Sequence, residues 1–181
     1  VVRDYWRRHF YPLSAPQAQV IAGYFKGPHE LGKALSGLLS RRDARFMLGD
    51  AVMPSVVDLS AAVAEPMLFE SRHAELEQQA RAAWQSGRQQ IEELLLGVRD
   101  MLNGTSYKNA KDDAVFYGWL EALDLWSQGG PAPKNLKNFG TIKVNGKTEA
   151  PQHPAFSAIL ALHEHAVECP DIRPQLLLHA L

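Results

Sequence analysis

Apolar residues recur at steps of three and four along most of the chain, which is the period of an α-helix. The longest stretch that keeps phase covers residues 67–103. There Phe69, His73, Leu76, Ala80, Ala83, Trp84, Gly87, Ile91, Leu94, Val98 and Met101 share one side, and Glu, Gln and Arg fill the other. At about 1.5 Å per residue this predicts a rod of roughly 55 Å around which other elements must pack. Ser86-Gly87-Arg88-Gln89 is its weak point, because a new helix could start there. The apolar phase survives across Gly87, so the pattern favours one continuous or gently kinked helix.

Shorter helices surround it. Residues 3–11 read as a short helix ended by Pro12. Ser14-Ala15-Pro16-Gln17 is a capping box that starts a second helix, with Val20, Ile21, Tyr24 and Phe25 on one face and Gly27-Pro28 as its stop. A third carries Leu31, Ala34, Leu35, Leu38 and Leu39. Ser40-Arg41-Arg42-Asp43 suggests a fourth start, leading to Phe46, Met47 and Leu48 before Gly49, and Pro54 and Pro66 bracket a short helix over 56–65. Helices also follow over 109–127, from Pro154 to about residue 168, and after Asp171. Between them the pattern changes. Gly129-Gly130-Pro131-Ala132-Pro133 is breaker chemistry, and Thr141-Ile142-Lys143-Val144 followed by Asn145-Gly146 predicts a β-hairpin near 139–149. The last residues, Leu176, Leu177, Leu178 and Leu181 among them, stop inside an apolar helical pattern, which suggests either a trimmed chain or an end that docks on another surface.

Composition narrows the class. A chain of 181 residues with 46% hydrophobic, 22% charged and 9% aromatic residues can bury a sizeable core, so wholesale disorder and fibrous repeats are excluded. No apolar stretch reaches the roughly 18 to 20 residues that cross a bilayer, and the start does not resemble a signal peptide. The expectation is a soluble, cytoplasmic protein with no membrane role. Cys169 is the only cysteine, which rules out an internal disulfide and any multi-cysteine zinc site.

The near-neutral total of −1 hides a segregation of charge. Residues 1–49 carry an excess of five positive charges and 50–104 an excess of five negative ones. Residues 129–148 contain Lys134, Lys137, Lys143 and Lys147 and no acid. Complementary helix faces pairing internally is the plainer explanation. The sharper one is a surface for an acidic partner or a phosphate backbone. On that reading Arg7 and Arg8, beside Tyr5, Trp6, His9, Phe10 and Tyr11, would combine backbone contact with stacking, and Arg41, Arg42 and the four lysines would add charge.

Reactive chemistry is sparse. His153, His163, His165 and His179 lie near Cys169, and His165 and Cys169 are four apart on a helix, so a metal site of His163, His165 and Cys169 is the densest ligand set available. Its spacing lacks the paired short-range ligands of a zinc motif. A Cys169 nucleophile with His165 as base, and half a di-iron site at Glu70 and His73, are weaker still. No phosphate-binding glycine loop, G-x-S-x-G or H-E-x-x-H motif occurs.

These features predict an all-α protein: an irregular bundle of six to eight helices around one long helix, with a small β-hairpin near 139–149, forming a single helical domain over 1–181 or a fragment of a longer chain. They lean away from an enzyme and call for no cofactor. The leading function is a non-enzymatic helical subunit or adaptor that packs against a protein partner or itself in a homo-oligomer or larger assembly. Trp84, Trp119, Trp126, Leu177, Leu178 and Leu181 are the interface candidates. The alternative is a nucleic-acid-binding accessory protein using the arginines and lysines named above, and a metal-dependent enzyme comes third.

Overall fold

The computed structural model describes residues 1–39, 47–48, 51–52 and 58–181. The described residues are mostly helical: α1 (Val2–His9), α2 (Ala15–Tyr24), α3 (Pro28–Leu39), α4 (Leu59–Val98), α5 (Asp113–Ser127), α6 (Pro154–Val167) and α7 (Arg173–Ala180). Two strands of two residues, β1 (Met47–Leu48) and β2 (Ala51–Val52), pair antiparallel with Met47 opposite Val52. Of the fourth predicted helix start, residues 40–46 and 49 lie outside the described residues, and Met47–Leu48 pairs as strand instead.

The chain divides into two compact units, one made of Val1–Ser71 and Cys169–Leu181, the other of Arg72–Glu168. The first has its own core of Phe10, Ile21, Phe25, Leu31, Leu35, Leu59, Val63, Ile172 and Leu176. The start of α2 is fixed as the sequence predicts, the Gln17 side chain accepting from the Ser14 amide at 3.0 Å. Asp58 caps α4, its carboxylate accepting from the amides of Ser60 and Ala61. The separate helix expected over 56–65 does not end at Pro66. That proline lies inside α4 and is buried. It forfeits one backbone hydrogen bond, and the apolar phase from Leu59 through Val63 carries on past it.

The long stripe is formed as one helix as far as Val98; Met101, at its predicted end, is exposed in a 3₁₀ turn over Arg99–Met101. Ala80, Trp84, Gly87, Ile91 and Leu95 are its buried positions, so the seam runs through Leu95 where the sequence suggests Leu94. Gly87 is a packing notch. A Cβ placed there would stand 2.1 Å from Cε1 of His153, whose imidazole fills the space. That ring is fixed in turn, because His153 Nδ1 accepts from the Ala155 amide at 3.1 Å and caps α6. Asp112 caps α5 through the amides of Ala114 and Val115.

The hairpin expected at 139–149 does not form as predicted. Asn145-Gly146 makes a turn with Gly146 at φ +76°, but Val144 bridges to Leu102, with Asn103 N–H on Lys143 O at 2.9 Å and Asn145 N–H on Met101 O at 2.7 Å. Ile142 is buried and Val144 packs on the core, whereas Lys147 and Thr148 offer no apolar side chain for the opposite strand. The chain leaving α4 supplies the hydrogen bonds instead.

Candidate functional site

Charged hydrogen bonds join α4 to α5 inside the second unit. Arg88 Nε lies 2.8 Å from both oxygens of Asp124, and its Nη1 reaches Glu92 at 2.6 Å. The Trp84 indole N–H donates to the same Asp124 carboxylate at 2.8 Å. Two turns before Arg88 on α4, Arg81 pairs with Glu77 at 2.6 Å, stacks over the Trp126 ring at 5.2 Å and donates to the Trp126 carbonyl. Trp126 returns its indole N–H to Glu77 at 3.1 Å. Burial works against the Glu77 charge, but the hydrogen bonds from Arg81 and Trp126 and the charge of Arg81 hold its carboxyl below the usual range. Arg99 Nε and Nη2 donate to the carbonyls of Ala110 and Lys111, Nη1 meets Asp113 at 2.7 Å, and the guanidinium covers the Phe116 ring at 4.7 Å. These groups are satisfied by one another and aim at no shared empty point.

Trp84 and Trp126 have no exposed surface, so the packing makes them core residues rather than interface ones. Trp119 is half-buried against Tyr107 and Phe116. Leu177 and Leu178 on α7 are half-buried and Leu181 is exposed. The outward face of α5 is instead lined by Tyr117, 41% exposed, and Leu125, 63% exposed, with Ala114, Gly118 and Glu121 in the same arc. Sequence reading missed this face because its period is masked by the longer buried stripe of Phe116, Leu120 and Leu123.

The candidate cations fall in separate places. Arg7 and Arg8 are exposed on α1, and Arg7 lines a cleft in the first unit with Arg3, Lys26 and Lys33, against the acids Asp4 and Glu30. Arg41 and Arg42 lie outside the described residues. Lys134, Lys137, Lys143 and Lys147 are all exposed. The first two border a cavity of about 260 Å³ in the second unit whose floor is Leu136, Ile159 and Leu162, with His73, Glu77, His163 and the exposed Ala166 around it.

The metal set does not assemble. His163 and Cys169 are exposed, and His165 stacks on His73 with ring centroids 5.8 Å apart. Among the described residues no three His, Cys, Asp or Glu side chains are placed to hold one ion. No described helix is long and apolar enough to cross a membrane.

No family model matches the chain. A curated relative does: the chain is similar to the RecB subunit of the RecBCD enzyme of Escherichia coli strain K12, 26% identical over 164 residues. The match takes in 86% of this chain and 12% of RecB, so the chain spans about one eighth of that relative's length.

Proposed function

We propose that this chain is a non-enzymatic helical module that works by packing against protein within a homo-oligomer or a larger assembly, as an irregular bundle built on α4. The observation that carries this reading is the outer face of α5, where Tyr117 and Leu125 stand exposed within an arc of about 80° over a helix whose other side is fully committed to the core. The likeness to part of RecB, itself a subunit of an enzyme, supports a role as one piece of something larger. The test is to recover the tagged protein from its native cell, identify what accompanies it in fixed proportion, and repeat with Tyr117→Glu/Leu125→Glu. A stoichiometric partner, or self-association in sedimentation, that the double variant loses is the expected result. A strict monomer with no companion, or a companion indifferent to the variant, overturns the reading.

One observation favours nucleic-acid binding as a second reading: Arg3, Arg7, Lys26 and Lys33 converge on one cleft against only two acids. Such a site would bind a generic duplex or single strand with micromolar affinity at low salt and lose it steeply as salt rises. No detectable binding at about 50 mM salt ends this reading.

A further inference from the structure

Lys134 and Lys137, which border the cavity of about 260 Å³, take no part in the stabilising contacts described above. Its lining is graded. Leu136, Ile159 and Leu162 make an apolar floor, Ala166 stands exposed beside it, and the two lysines stand at the rim on a segment held in place by Pro131 and Pro133 and by the 3₁₀ turn Leu136–Phe139. Gly140 at the end of that turn meets the backbone of Leu160 so closely that a Cβ there would lie 2.9 Å from the Leu160 amide nitrogen, which presses the lysine segment against α6. Neither lysine makes an ion pair with a described residue. The one carboxylate in the lining, Glu77, is already held by Arg81 and Trp126. The local field is therefore positive above an apolar well.

We propose that this cavity docks an acidic segment of a partner protein, seating one aliphatic side chain on the Leu136, Ile159 and Leu162 floor and placing flanking carboxylates against Lys134 and Lys137. The inference rests on the packing reading above and names the chemistry of the partner. Charge complementarity selects an anion, and the floor selects an anion that carries an apolar side chain. A nucleic-acid strand fits less well. The lining has no arginine to fork onto phosphate and no Trp, Tyr or Phe, the broadest platforms on which a base stacks.

The probe is a fluorescein-labelled peptide of about twelve residues, Glu and Asp with one central Leu, read by anisotropy against the whole protein at about 50 mM salt. The same peptide with Gln and Asn for the acids, and an oligothymidylate of equal length, complete the set. The expected result is saturable binding of the acidic peptide only. Lys134→Glu/Lys137→Glu should weaken it at least tenfold, and Ala166→Trp, which fills the well from an exposed position and keeps both lysines, should weaken it comparably. Lys143→Glu/Lys147→Glu, equal in charge but outside the cavity lining, should leave it within about twofold. No binding of the acidic peptide, equal loss in both lysine pairs, or tighter binding of the oligonucleotide that Lys134→Glu/Lys137→Glu abolishes, each overturns the proposal. A companion protein that depends on Tyr117 and Leu125 while the peptide fails removes the cavity inference alone. Peptide binding without any such companion removes the α5 reading alone.

Discussion

In the unit Arg72–Glu168, each of the two fully buried tryptophans hands its indole N–H to a carboxylate that an arginine also holds: Trp84 to Asp124 beside Arg88, and Trp126 to Glu77 beside Arg81. In the unit of Val1–Ser71 and Cys169–Leu181 the corresponding polar contact is neutral, the Tyr5 hydroxyl donating to Nδ1 of His179 inside a ring of aromatics that includes His9 and Phe10. Both arrangements satisfy a donor withdrawn from water, wholly for the tryptophans and partly for Tyr5. They differ in what can undo them. Arginines and carboxylates ordinarily keep their charges across the physiological range, whereas an imidazole acceptor disappears when it takes a proton. The second unit is specified by packing and charge, and the first carries a contact that acid can remove.

The sharpest way to break the second unit is at Gly87. A Cβ there collides with a His153 ring that cannot swing away without giving up the cap of α6. Gly87→Ala should cost about 3 kcal/mol in urea unfolding, the sum of overpacking and a lost cap. Gly87→Ala/His153→Ser, which removes the ring and retains a capping oxygen, should recover most of that loss. If Gly87→Ala is neutral or stabilising, as alanine is in an ordinary helix interior, the notch has no structural role.

Asp124 ranks next. Asp124→Ala leaves the Arg88 guanidinium and the Trp84 indole N–H partly buried with one acceptor fewer, at a cost of about 2 kcal/mol. Asp124→Asn keeps an acceptor for the indole but not the charge, and should fall between. A double-mutant cycle with Arg88→Met gives the coupling, and a coupling near zero would show that the α4–α5 seam is held by its apolar contacts alone.

What the sequence disclosed was local. The period of α4 and the capping box at Ser14 each depend on residues within four positions of one another, so their chemistry is visible along the chain. What stayed hidden depends on pairs far apart in sequence. Gly87 reads as a helix weak point until His153 is placed on it. Val144 reads as half a hairpin until Leu102 offers a better partner. Trp84 and Trp126 resemble interface anchors because a sequence does not show that Asp124 and Glu77 wait for their N–H groups inside. The same distance rule split the cationic candidates. The cleft of Arg3, Arg7, Lys26 and Lys33 joins two helices, and the cavity beside Lys134 and Lys137 needs α6 to supply its floor.

The smallest effect sharpens the contrast most directly. Burial, and then the neighbouring His9, hold the His179 imidazole below its ordinary value of about 6.5, with Asp58 opposing, while burial pushes the Tyr5 hydroxyl up to about 12 and keeps it a donor throughout. A lowered folded-state value means that the unfolded chain takes its proton first as pH falls. The contribution of His179 to stability is therefore complete above about pH 6.5 and drains away as pH drops through the folded value. With the ring half exposed, the loss should stay under about 1 kcal/mol. Hydrogen exchange of the α7 amides, corrected for intrinsic rate, should accelerate between pH 7.5 and 5.5 in the unmodified chain, while α5 amides keep their protection. His179→Phe retains the aromatic contacts with Tyr5 and His9 but has no nitrogen to titrate, so its α7 exchange should lose that extra acceleration. Equal pH dependence in the two proteins would mean that the neutral contact in the first unit is no more sensitive to acid than the charged ones in the second.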